Sequence, residues 1–81
     1  MQLIITSSNA EISADNRNEI EKKFHKLGRF FDRILRLELE LRKEKNGFRV
    51  EATAELPRLI VRAENTARQL QSAIDLVYRK L

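Results

Sequence analysis

The chain has 81 residues, with 16 Lys and Arg against 12 Asp and Glu, so it carries a net charge of +4 and charged residues make up 35% of it. That length predicts a single domain over residues 1–81, burying roughly 60 to 65% of its unfolded surface, enough for one layer of helices on one sheet. The absence of cysteine excludes disulfides and thiolate chemistry, no apolar run approaches the ~18 residues of a membrane span, and the basic balance favours an anionic partner, nucleic acid ahead of a membrane surface.

In chain order, Gln2 to Thr6 is a short β-branched run that predicts a strand with Leu3 and Ile5 inward. The segment MQLIITSSNA lacks the basic region and longer apolar core of a signal peptide, which predicts a cytoplasmic protein. Ser13 is placed to cap a helix of about fourteen residues, with Asp15 and Glu19 at its positive end, Ile20, Phe24 and Leu27 on its apolar face and Gly28 at a left-handed C-cap. Phe30 or Phe31 then plugs the end of the core.

From Ile34 the pattern changes to a period of two. Leu35, Leu37, Leu39 and Leu41 alternate with Arg36, Glu38, Glu40 and Arg42, which puts the leucines on one face of a second strand. Asn46-Gly47 predicts a tight hairpin of positive φ, after which Phe48, Val50, Ala52, Ala54 and Leu56 form the inward side of a third strand that Pro57 stops. Leu59, Val61 and Ala63 give a fourth strand, Asn65 or Thr66 caps a last helix, and Leu70, Ala73, Ile74, Val77 and Leu81 form that helix's apolar stripe. The first two strands, joined through a helix, are expected to run parallel with a right-handed crossover and the others antiparallel. The fold class is therefore α+β, a βαβββα two-layer sandwich with a four-stranded sheet and both helices on one face.

Chemistry has few places to start. His25 is the single histidine and has neither cysteine nor a second histidine to work with, and the two glycines build no phosphate-cradling loop, so no catalytic residue, metal or cofactor is expected. The outward sheet face carries Arg36, Glu38, Glu40, Arg42, Arg49, Glu51 and Glu55, read as cross-strand pairs of mixed sign, and lacks aromatic stacking residues. On the first helix Lys22, Lys26 and Arg29 fall within a sector of about 60° opposite the apolar stripe, with Lys23 on its flank. Arg68 and Arg79 take the outward sector of the last helix, beside Asp75. Two neighbouring helices with outward cations can follow a phosphate backbone, at an affinity that falls steeply with salt.

The run Lys22 to Ile34, KKFHKLGRFFDRI, resembles the K-F-x-K-L-x-x-Y/F-F-D-R-I segment that ends the first helix of the ribosome hibernation factors, also called ribosome-associated inhibitors or sigma-54 modulation proteins. Arg62-Ala63-Glu64, Ala73 to Val77 and Lys80-Leu81 are similar to that family's R-A-E and A-I-D-L-x-x-K-L ending, and Asn46-Gly47-Phe48 with Ala52-Thr53 to its hairpin. The resemblance implies the βαβββα fold, similar in layout to double-stranded RNA-binding domains, and a non-catalytic protein. Its expected partner is the small ribosomal subunit with its ribosomal RNA, at the groove of messenger and transfer RNA, and its expected effect is translation inhibition and ribosome hibernation under stress. Arg17, Lys23, Lys26 and Lys80 align with basic family positions, whereas Lys22 and Arg29 rest on the helical face alone. Two departures stand out: Arg68-Gln69-Leu70-Gln71 replaces an acidic-aromatic segment, and relatives continue past Leu81 into a basic tail. The alternative is a protein-interaction module working through an exposed sheet edge, and the expected state is a monomer or weak homodimer, with neither membrane nor small-molecule substrate as partner.

Overall fold

The computed structural model describes residues 1–9 and 11–81 and consists of β1 (Gln2–Ser7), α1 (Ala14–Phe30), β2 (Arg36–Glu44), β3 (Gly47–Leu56), β4 (Leu59–Ala67) and α2 (Leu70–Lys80). The sheet order is β1-β2-β3-β4, with β1 parallel to β2 and the other neighbours antiparallel. This is the βαβββα arrangement that the alternating patterns predict.

The pleat explains the core. Register pairs Leu37 with Ala54, Leu39 with Ala52 and Leu41 with Val50, so large residues on β2 face small ones on β3, and all six are buried. Ile20, Phe24 and Leu27 of α1 and Ala73, Ile74 and Val77 of α2 cover that same face, and all belong to one cluster. Burying each large side chain stabilises the fold by roughly 1.5–3 kcal/mol. Phe24 meets Tyr78 edge to face at 5.4 Å, which locks the two helices side by side.

Several boundaries differ from the sequence expectation. Ser13 caps α1 as expected, its Oγ accepting from the Asn16 N–H at 3.1 Å, but the helix continues through Gly28 to Phe30 and ends when the Phe31 N–H reaches the Leu27 carbonyl. Gly28 has no positive φ; its missing side chain instead makes room for Met1. Leu35 does not join the inward leucines and is 58% exposed: its carbonyl accepts from the Gln2 N–H and its own N–H donates to the Glu55 carbonyl, but the alternation breaks ahead of Arg36 and Ile34 is buried in its place. Phe30 is 79% and Phe31 54% exposed, so neither is buried as a plug of the core end; Phe31 only lines an apolar pocket of about 100 Å³ with Leu27, Ile34 and Leu81.

The hairpin forms, but its turn residues are Lys45 and Asn46, and no described residue has positive φ. Gly47 opens β3 opposite Glu44, and it must be glycine for a different reason: a Cβ there would lie 2.3 Å from the Ala67 carbonyl oxygen. Pro57 and Arg58 make a second two-residue turn, leaving Leu59 60% exposed at the start of β4. Alternation then carries β4 to Ala67, past both expected caps; the Asn65 Oδ1 accepts from the Thr66 N–H, and α2 begins at Leu70 behind Gln69, whose side chain makes no cap bond.

The polar sheet face also departs from expectation. Arg36 faces Glu55 as a pair of mixed sign, but Glu40 faces Glu51, Arg42 faces Arg49 and Glu51 faces Glu64, so these three pairs are alike in charge and their relief comes from ion pairs between other positions. Arg49 supplies it by bonding both Glu51 and Glu64, and these contacts, led by the hydrogen bond to Glu51, raise its pKa. At the far end of β2 the Asn9 amide pairs with the backbone of Lys43 at 2.8 and 2.9 Å, in place of a further β1 residue.

Candidate nucleic-acid interface

The basic residues that the sequence singles out lie on α1, in the bend before α2 and in the last turn of α2. Lys22, Lys26 and Arg29 are exposed on the outward face of α1, opposite the buried Ile20, Phe24 and Leu27. At ~1.5 Å per residue they span about 10 Å of helix, a spacing suited to successive phosphates on one strand. They occupy the C-terminal half of α1, where Arg29 in the last turn also complements the negative end of the helix dipole. Asp15, Glu19 and Glu21 are confined to the other half, so the ridge keeps a single sign.

Lys23 has a different position. It is half-buried between the helices, donates to Asp75 Oδ1 at 2.7 Å and lies 4.8 Å from the centre of the Tyr78 ring. Its charge is balanced by Asp75, whose carboxyl is held below its ordinary pKa first by that hydrogen bond, against a desolvation that acts the other way. The pair has an electrostatic consequence for its neighbours. Asp75 is the acid of α2 that stands beside Arg79, and Lys23 offsets its charge there.

The remaining candidates are scattered. Arg17 is exposed in the first half of α1, about 120° or more around the helix from the ridge. Arg68 is exposed in the bend before α2, and Arg79 is exposed in the last turn. Lys80 donates to the Glu64 carbonyl of β4 at 2.8 Å and so reaches toward the sheet edge. Among the described residues no three His, Asp or Glu side chains converge as a metal site, and no helix is long and apolar enough to cross a membrane.

Phe30 was not legible as a surface residue. It follows Arg29 and lies one turn beyond Lys26, giving a bare aromatic ring among cations. Expecting α1 to end at Gly28 moves this residue off the helix; continuing the period through the glycine puts it outside the apolar stripe.

The profile of the family described as sigma 54 modulation protein / S30EA ribosomal protein matches residues 3–81. The chain is 35% identical over its whole length to a ribosome hibernation promoting factor of Escherichia coli K12, covering 85% of that protein. It is 33% identical to a ribosome-associated factor Y of Haemophilus influenzae, covering 76% of it. A ribosomal subunit interface protein from Coxiella burnetii superposes with a TM-score of 0.91 at 25% identity, over 99% of this chain and 88% of that one. The N-terminal domain of Thermus thermophilus Protein Y superposes with a TM-score of 0.81 at 30% identity, over 99% and 90%.

Proposed function

The chain belongs to the sigma 54 modulation protein / S30EA ribosomal protein family, and we propose that it is a non-catalytic ribosome-associated hibernation factor. In this reading it acts in the cytoplasm, docks on small-subunit ribosomal RNA at the groove of messenger and transfer RNA, and inhibits translation under stress. The observation that carries the docking face is the exposed one-sign ridge of Lys22, Lys26 and Arg29. Arg68, in the bend before α2, and Arg79, in the last turn of α2, add further exposed cations, and Arg17 and Lys80 are outlying contacts. Phe30 adds a ring that can stack on an unpaired base, an interaction indifferent to sequence. Lys23 serves the site by holding the helices rather than by meeting phosphate.

The test is co-sedimentation with purified bacterial small subunits across a salt series, with cell-free translation measured in parallel. Binding that weakens with salt and accompanies inhibition supports the reading. Replacing Lys22, Lys26 and Arg29 together by glutamate is expected to abolish both; unchanged affinity and salt dependence would rule out this face.

A further inference from the structure

The open edge of β4 is a nearly complete self-pairing surface. Glu44 with Gly47 and Leu56 with Leu59 close two-residue hairpins, so each is a hydrogen-bonded pair, and the alternation this sets along β3 and β4 makes Leu59, Val61, Ala63, Asn65 and Ala67 bond to β3. The backbone N–H and C=O of Ile60, Arg62, Glu64 and Thr66 then point away from the sheet. Two side-chain contacts agree with this, since Lys80 reaches the Glu64 carbonyl and Asn65 the Thr66 N–H. Those two contacts also cover the C-terminal half of the edge. Its other half carries Ile60, 57% exposed, with no such cover among the described residues.

We propose that β4 pairs antiparallel with β4 of a second copy of this chain about a two-fold axis at Ala63, with Lys80 as the guard that keeps the edge closed. The register follows from charge. Centring on Ala63 overlaps all nine residues of Leu59–Ala67 and sets Arg62 against Glu64 of the partner subunit twice. Shifting the axis to Arg62 or to Glu64 brings like charges together on the axis. Ile60 then lies against the partner's Thr66, and Leu76, 36% exposed and one turn from Lys80 on α2, faces the seam between the helix layers. A strand of about 30 Å would extend two four-stranded sheets into one, with both helix layers on the same side.

Sedimentation equilibrium up to millimolar protein tests this independently of any ribosome assay. The wild-type chain is expected to dimerise weakly and Lys80→Met, which uncovers the Glu64 carbonyl, several-fold more tightly. Arg62→Glu sets a second carboxylate against the partner's Glu64 and should weaken association about tenfold, while adding Glu64→Arg should restore it. A thermal midpoint near wild type identifies a variant as folded. A strictly monomeric Lys80→Met protein, or an Arg62→Glu dimer as tight as wild type, overturns the proposal.

Discussion

Lys23 of α1 and Asp75 of α2 meet at 2.7 Å across the seam between the helices, with the ammonium also over the Tyr78 ring. The side chains are 31% and 41% exposed, so the pair contributes only about 0.5 kcal/mol after solvent screening. Its pH dependence has a definite sign. Asp75 titrates below its ordinary value of 3.8 in the folded chain, so its contribution is fully present above that value and lost as the pH falls through the lowered one. Asp75→Asn is expected to lower the urea midpoint at neutral pH by an amount that shrinks under acid conditions; a deficit that persisted unchanged in acid would point away from the ion pair.

The same contact separates Lys23 from Lys26 as RNA ligands. Lys26→Ala is expected to reduce the slope of log affinity against log salt by about one unit on small subunits, because one phosphate contact is lost. Lys23→Ala should leave that slope nearly unchanged while lowering the thermal midpoint. Equal slopes for both variants would mean that Lys23 leaves Asp75 on binding.

Phe30→Ala distinguishes stacking from charge. It should weaken ribosome binding by about 1–3 kcal/mol with no change in salt slope, and it should cost little stability because the ring is 79% exposed. A variant that binds as tightly as wild type would remove the ring from the interface.

The two glycines should respond oppositely to alanine. Gly47→Ala drives a Cβ into the Ala67 carbonyl at 2.3 Å, where backbone on both sides must shift, and is expected to destabilise by about 1–3 kcal/mol in urea unfolding. Gly28→Ala meets only the Met1 side chain, at 3.3 Å and beyond, and lies inside α1, so it should gain up to about 1 kcal/mol from helix propensity.

The core tests the register directly. Leu39→Ala removes a fully buried side chain that faces Ala52, a residue too small to fill the space, so a loss of about 2–5 kcal/mol is expected. Glu40→Ala, next along β2 on the polar face and opposite Glu51, should be neutral or mildly stabilising.

What the sequence determined by itself is the part of the fold that periodicity encodes. Alternation from Leu37 to Leu41 and from Val50 to Ala54, and the helical spacing of Ile20, Phe24 and Leu27, each fix a face with no knowledge of neighbours, because the pleat and the helix turn are local geometry. The Lys22, Lys26 and Arg29 ridge was legible for the same reason, and short motifs were enough to suggest the family. Tertiary structure decided the ends of elements and the fate of individual charges. Gly47 reads locally as a turn residue, yet its constraint is the Ala67 carbonyl twenty positions away. Leu35 belongs to the leucine pattern but is exposed while Ile34 is buried in its place, and Asn65 looks like a helix cap but sits in a strand paired to Val50. Helical spacing sets Lys23 on the flank of the ridge that holds Lys26, but that Asp75, fifty-two residues further on, stands beside Lys23 is decided only by the fold. A pairing between distant residues leaves no periodic trace in the chain, since it depends on how whole elements dock.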